Sequence, residues 1–277
     1  MAASKFYLMN EKAVRWSLNT PQTGIFTNPS GFGYEYDGKY IAVGDRFAVE
    51  SNSLKQRKPS GKIVFPINPY PTFKKFVDFI NSAKELTLIY QPSGVDQEYY
   101  ADIDLTSIDK GGYTRKKEFV VPIKFVCRSL FYTTQKFRYQ IERDVTELRW
   151  NFKWETKFND LQYVNFVFNN TGHVESPFTM SFTGYCLNPE IEVYSGGNVV
   201  HQIPMNIELE ADETLVLSTF DDDLYIEVNG QGRRECLSLA NENFFKLPVG
   251  ESQIFFRSEA GKVNNIILTF EKYYKGV

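Results

Sequence analysis

Apolar and polar residues alternate with period two along most of the chain. Ala101, Ile103 and Leu105 face away from Asp102, Asp104 and Thr106. Phe119, Val121, Ile123, Phe125 and Cys127 form a longer apolar row, and Phe137, Tyr139 and Ile141 oppose Lys136, Arg138, Gln140 and Glu142. Successive side chains of a strand point to opposite faces, so these rows predict antiparallel strands with one wet face. Pro122 interrupts the longest row and has no N–H to give a ladder, which places that strand at a sheet edge or a bulge. Beyond residue 160 the apolar runs shorten and turn signals recur at 169–172, Gly196-Gly197, Asn229-Gly230, Gly250 and Gly261. Short strands punctuated this way predict a β-sandwich.

One segment has a helical period. Within residues 72–85, Phe73, Phe76, Val77 and Ile80 follow the i, i+3, i+4, i+7 pattern, with Lys74, Lys75, Asp78 and Asn81 on other faces. Pro69 and Pro71 precede it, and Thr72 is the expected cap. Residues 28–44, with Gly31, Gly33, Gly38 and Gly44 among Tyr and Phe, read as weakly structured. Residues 51–61, with Lys55, Arg57 and Lys58, read as the polar, basic tip of a long hairpin between strands near 45–50 and 62–67.

Composition narrows the class. The 277 residues are 42% hydrophobic and 23% charged, which suits a folded protein of one large or two ordinary domains and excludes disorder. Aromatic residues make up 16%, which favours pleated, half-buried surfaces and moves the expectation to mainly β. The longest nearly apolar stretch, residues 119–126, contains Lys124 and is far shorter than the ~20 residues of a membrane-spanning helix, so no membrane insertion is expected. The N-terminus lacks the apolar core of a secretory signal, which implies synthesis in a cytoplasm. Cys127, Cys186 and Cys236 are odd in number and widely spaced; they read as small buried hydrophobes, not as a disulfide framework or zinc site.

Charge divides the chain. Residues 1–140 carry 20 basic and 13 acidic residues, net +7, and residues 141–277 carry 11 and 21, net −10. This suggests two domains, 1–140 and 141–277, facing different surroundings or attracting each other in an assembly. In that setting Lys55, Arg57, Lys58 and Lys62 are candidates for a subunit interface, an arm meeting an acidic patch on its neighbour; a solvated loop is the plainer alternative.

Motifs for catalysis are missing. Gly31-Phe32-Gly33 begins like a dinucleotide fingerprint, but Tyr36 replaces the third glycine and no strand-to-helix context follows. No GxxxxGK[ST], HExxH, GxSxG or EF-hand pattern is present, and neither His173 nor His201 has a nearby Ser or Cys that suggests a nucleophile pair. Asp221-Asp222-Asp223 lacks calcium-loop spacing and reads as an acidic turn. Leu148, Trp150, Phe152 and Trp154 share one face of a predicted strand and read as core, although Trp150 and Trp154 could also stack on a sugar. No catalytic residue, metal ligand or cofactor is therefore assigned, and an acidic chain without a dense basic patch is not expected to read nucleic-acid sequence.

The order of these pieces carries a resemblance. The stretch 72–80, TFKKFVDFI, runs into LTLIY at 86–90, then YYADIDL at 99–105, a Gly111-Gly112-Tyr113 turn and a long strand ending RSLFY at 128–132. Later come MNIEL at 205–209, ETLVL at 213–217, the LPVGE turn at 247–251 and the ending EKYYKGV at 271–277. This resembles the siphophage distal tail protein (Dit) family over nearly the whole chain. The resemblance implies a tail-tube-like N-terminal belt domain of β-structure with one helix, and a C-terminal galectin-like β-sandwich. It also implies a hexameric ring in the virion, at the distal end of the tail. Such a ring joins the tail tube to the tail-associated tip protein, docks receptor-binding proteins and passes DNA through its lumen. Two other classes are kept in view, a carbohydrate-binding module for host cell-wall polysaccharide and a glycoside hydrolase acting through a carboxylate pair.

Overall fold

The structure is a computed structural model and describes residues 4–140, 163–238, 244–261 and 263–277. The chain forms two compact units, one comprising Met1–Thr133 with Tyr274–Val277 and the other Thr134–Tyr273. The last four residues thus belong with the first unit. Ile141, Glu142, Trp150 and Trp154, with the strand predicted around the tryptophans, lie outside the described residues.

The first unit is an antiparallel sheet that closes on itself. Strands follow one another in the order Arg15–Ser17, Lys5–Asn10, Leu86–Gln91, Tyr99–Ile108, Phe119–Cys127, Ser60–Phe65, Gly24–Ser30 and Asn19–Thr20. Closure comes from Leu18, whose amide donates to the Phe6 carbonyl (3.0 Å) while its own carbonyl accepts from the Phe26 amide (2.8 Å). Closing a sheet removes the exposed edges on which other strands pair. The Phe119–Cys127 row is buried at all five expected positions, alongside Leu8, Ile63, Phe65 and Ile103.

Pro122 is not at an edge. Its strand lies between Tyr99–Ile108 and Ser60–Phe65, with Pro122 opposite Lys62. On the other side the strand changes partner: Val120 pairs with Gly112, and the ladder to Tyr99–Ile108 begins only at Ile123. The missing N–H falls in that gap, so an interior strand tolerates proline without losing a ladder bond. A register shift does occur, two residues on, between Lys124 and Phe125.

The helix spans Pro69–Ser82 and begins earlier than its apolar period suggests. Asn68, at φ 45°, precedes it, and Pro69 takes the first helical position, where its fixed φ suits the helix and no N–H is needed. Thr72 is therefore not the cap. It lies inside the first turn, donating its hydroxyl to the Ile67 carbonyl (3.0 Å), and is buried with Phe76 and Ile80. Phe73 and Val77 are half-buried, and Lys74, Lys75, Asp78 and Asn81 are exposed.

The predicted hairpin is also relocated. Its strands are Tyr36–Val43 and Arg46–Leu54, and its tip is Gly44-Asp45, where Gly44 takes φ 61°. Residues 51–61 are not a tip. They carry the chain back into the barrel, where the Pro59 and Arg57 carbonyls accept from the Phe125 and Cys127 amides (2.8 and 3.0 Å).

The second unit is a β-sandwich. One layer orders Gln231–Gly232, Asp223–Val228, Thr214–Phe220, Phe178–Thr183 and the strand starting at Asn265; the other orders Tyr163–Asn170, Gly250–Arg257, Glu190–Ser195 and Asn198–Pro204. Phe182 and Phe256 meet between the layers with ring centroids 4.8 Å apart, within a core that includes Met180, Ile191, Leu217, Ile254 and Leu268. The tight turns fall where glycine was expected: Asn229 and Gly230 (φ 50° and 77°) and Gly196 and Gly197 (φ 59° and 84°) close two-residue hairpins that need positive φ twice.

Candidate functional site: an exposed arm and its buried base

The Tyr36–Val43 and Arg46–Leu54 strands pair with each other and, among the described residues, with no other strand. Register places Tyr40 opposite Val49 and Ala42 opposite Phe47 on one face, and Ile41 opposite Ala48 and Val43 opposite Arg46 on the other. Both faces are apolar toward the tip, and both are bare: Phe47 is 76% exposed, Val43 63% and Tyr40 60%. A lone two-stranded ribbon is marginally stable in water, and an apolar surface of this kind marks a contact with another molecule. Nothing in the period-two pattern announced this, because alternation marks a strand without saying whether either face finds a cover.

The four basic candidates separate at the base of the arm. Lys55 is exposed and pairs with Glu35 at 3.4 Å. Lys58 and Lys62 are exposed, the latter on the Ser60–Phe65 strand. Arg57 is only 7% exposed. Its Nε donates to the Gly33 carbonyl (3.0 Å), its Nη2 donates to the Tyr274 carbonyl (3.5 Å) and at closer range to that of Lys275, and its guanidinium lies 4.9 Å from the Phe131 ring centroid. Among the described residues no carboxylate pairs with it, and burial pushes its pKa down from the ordinary arginine value. Backbone carbonyls and an aromatic face thus do the work of a counter-ion, and the arginine fixes the chain where a surface charge was expected.

Other chemistry is modest. Among the described residues no three His, Cys, Asp or Glu side chains converge as a metal site requires, and no helix is long and apolar enough to cross a membrane. Asp221 and Asp222 form the turn between two paired strands, and Asp221 is salt-bridged to Lys246. In the second unit a groove of about 690 Å³ is lined by Asn188, Glu190, Asn206, Glu235, Arg257 and Glu259, among others. Asn188 donates to Glu259 (2.9 Å) and Gln202 to Glu190.

Residues 5–128 match the family model described as distal tail protein, N-terminal domain, and residues 171–274 match that described as siphovirus-type tail component, C-terminal domain. The chain belongs to the distal tail protein (Dit) family. It is a component of a phage tail. Solved structures share the Dit fold at low identity. A chain of the phage P2 baseplate in its activated conformation with Ca superposes with a TM-score of 0.64 at 14% identity, covering 99% of this chain and 100% of that one. The SPP1 Dit protein, described as a paradigm of the hub adsorption apparatus in phages infecting Gram-positive hosts, gives 0.61 at 13% identity, covering 96% and 98%. No curated protein sequence matches. A mainly β chain with one helix in its N-terminal domain and a C-terminal β-sandwich is thus the Dit architecture.

Proposed function

We propose that this Dit protein closes into a hexameric ring at the distal end of a siphophage tail, with the arm of residues 36–54 laid against the neighbouring subunit. The observation carrying this reading is the bare apolar ribbon: Tyr40, Val49 and Phe47 on one face and Ile41 and Val43 on the other need a cover, and a second copy of the chain presents the same need in the same geometry. Heterologous contacts of this kind close into a ring when the rotation per subunit allows it. The ring joins the tail tube to the tail-associated tip protein, offers its β-sandwiches as docking sites for receptor-binding proteins and passes DNA through its lumen without reading its sequence. The role is structural and not enzymatic, and its place is the virion, after assembly in the bacterial cytoplasm.

The experiment is the native mass of the purified chain with negative-stain images, for the native sequence and for Ile41→Asp with Phe47→Asp. A species of six times the 32.1 kDa chain mass with an open lumen, reduced to a single chain mass in the variant without change in circular dichroism, is the expected result. A native chain that stays monomeric even with tail tube and tip proteins present ends the ring reading. A variant that closes rings as the native chain does removes the arm from it.

A second reading, binding of cell-wall polysaccharide, draws on the second-unit groove, whose amide, guanidinium and carboxylate side chains suit the vicinal hydroxyls of a sugar. Retention of the full chain on host wall polysaccharide, abolished by Asn206→Ala with Glu235→Ala, would support it; passage of the chain without retention would remove it.

A further inference from the structure

The C-terminal residues converge on the base of the arm. Arg57 holds the carbonyls of Tyr274 and Lys275 with the same guanidinium that binds Gly33, three residues before the arm begins. Tyr274 is set edge-on against Tyr99 (5.2 Å) and its hydroxyl meets that of Thr133 (3.4 Å). Lys275 places its Nζ 5.8 Å from the Tyr36 ring centroid, and a β-carbon on Gly276 would come within 3.2 Å of the Tyr34 ring. Tyr34 and Tyr36, themselves edge-to-face at 5.9 Å, lead directly into the first arm strand. The Lys55 amide, at the end of the second, donates to the Glu35 carbonyl (2.8 Å). Arg57, Tyr34 and Tyr36, which flank this Lys55–Glu35 bond at the root of the ribbon, all touch residues 274–276.

We propose that Tyr274–Val277, fastened by Arg57, is the peg that sets the root of the arm. A guanidinium can grip two carbonyls at once through its planar fork, whereas a lysine at the same place is a single point charge on a flexible stem. Losing residues 274–277 removes two of the carbonyls that solvate a buried charge, and the charge then draws water or leaves, loosening Gly33 and Tyr34 with it. The consequence for assembly rests on the ring reading above; the fastening itself does not.

Hydrogen–deuterium exchange on the full chain, on a chain ending at Tyr273 and on Arg57→Lys tests this, with native mass measured on the same samples. The Lys55 amide is expected to exchange at least ~10-fold faster in both altered chains while the Phe178–Thr183 strand keeps its protection, and their native mass to fall toward that of one chain. If shortening also unprotects Phe119–Cys127, the first unit has unfolded and Arg57→Lys alone decides. An unchanged Lys55 amide in Arg57→Lys overturns the peg and leaves the ring reading untouched. A fast Lys55 amide with native mass unaltered upholds the peg and removes the arm from ring closure.

Discussion

Gly31 lies so close to the chain that leaves the arm that a β-carbon on it would stand 2.5 Å from the carbonyl oxygen of Lys58. Its φ is 76°, in the left-handed region where side chains are strained. The clash is with backbone, which cannot swing aside as a side-chain tip can. Gly31→Ala is therefore expected to destabilise the first unit by about 2–3 kcal/mol, adding positive-φ strain to displacement of residues 57–59. Thermal unfolding followed by circular dichroism checks this, and a loss below about 0.5 kcal/mol would mean that the arm base yields freely.

Of the three buried side chains of the helix, Phe76 is the most deeply set. Phe76 is fully buried, with centroid distances of 5.7 Å to Trp16 and 5.8 Å to Phe65. Phe76→Ala removes this packing and leaves a cavity that the closed barrel cannot readily collapse, a change expected to cost about 3–5 kcal/mol. Asp78→Ala, on the exposed face of the same helix, should stay within about 0.5 kcal/mol. Denaturant midpoints for the two variants, compared at constant m, give the difference.

These two positions also show what the chain discloses before it is folded. Phe76 announces itself through helical spacing, and the Phe119–Cys127 row through alternation, because both patterns are imposed by burying one face of a regular element. Thr72 misleads because a hydroxyl before an apolar run is a usual cap, whereas here proline starts the helix and the hydroxyl bonds back to Ile67. Pro122 misleads because the gap its missing N–H occupies depends on where two other strands end. Arg57 was legible as a charge and illegible as an anchor: its acceptors include carbonyls more than 200 residues away in sequence, and no local pattern encodes that distance. The arm is the inverse case, apolar residues in strand register that no described residue covers.

The three cysteines should behave as inert core in the native chain. Burial pushes the thiols of Cys127 and Cys236 up to about 11 and that of Cys186 up to about 12, from an ordinary 9.0. The thiolate is the reactive form, so native protein at pH 8 should leave all three unlabelled by a disulfide-exchange reagent that labels them fully after denaturation. The folded values lie above the unfolded ones. Their contribution to stability is thus fully present below pH 9 and is lost as pH rises through 11 to 12. Tyr99, Tyr100 and Tyr225, also raised chiefly by burial, add in the same direction. Unfolding temperature should fall steeply over that window, and less steeply in Cys186→Ala, which deletes the most shifted thiol. A Cys186→Ala profile parallel to that of the native chain would refute the assignment.

The basic residues around the arm base call for a different experiment from one that treats them alike. Reversing Arg57 to Glu would place an anion among the three carbonyls it now binds, so any loss of assembly would report misfolding of the root. Lys55, Lys58 and Lys62 are exposed, and the Lys55–Glu35 pair, with side chains 50% and 78% accessible, contributes at most a few tenths of a kcal/mol to folding. Reversing these three to Glu should therefore leave the unfolding temperature within about 2 °C of the native value. If they face an acidic patch on a neighbouring subunit, the same variant should assemble more weakly. Added salt should then narrow the difference, because screening weakens the native attraction and the variant's repulsion together. Native mass at low and high ionic strength, read for both chains, separates the outcomes: a triple reversal that assembles as the native chain does at both salts means that these lysines are solvent-facing charges and that the ring closes through the apolar ribbon alone.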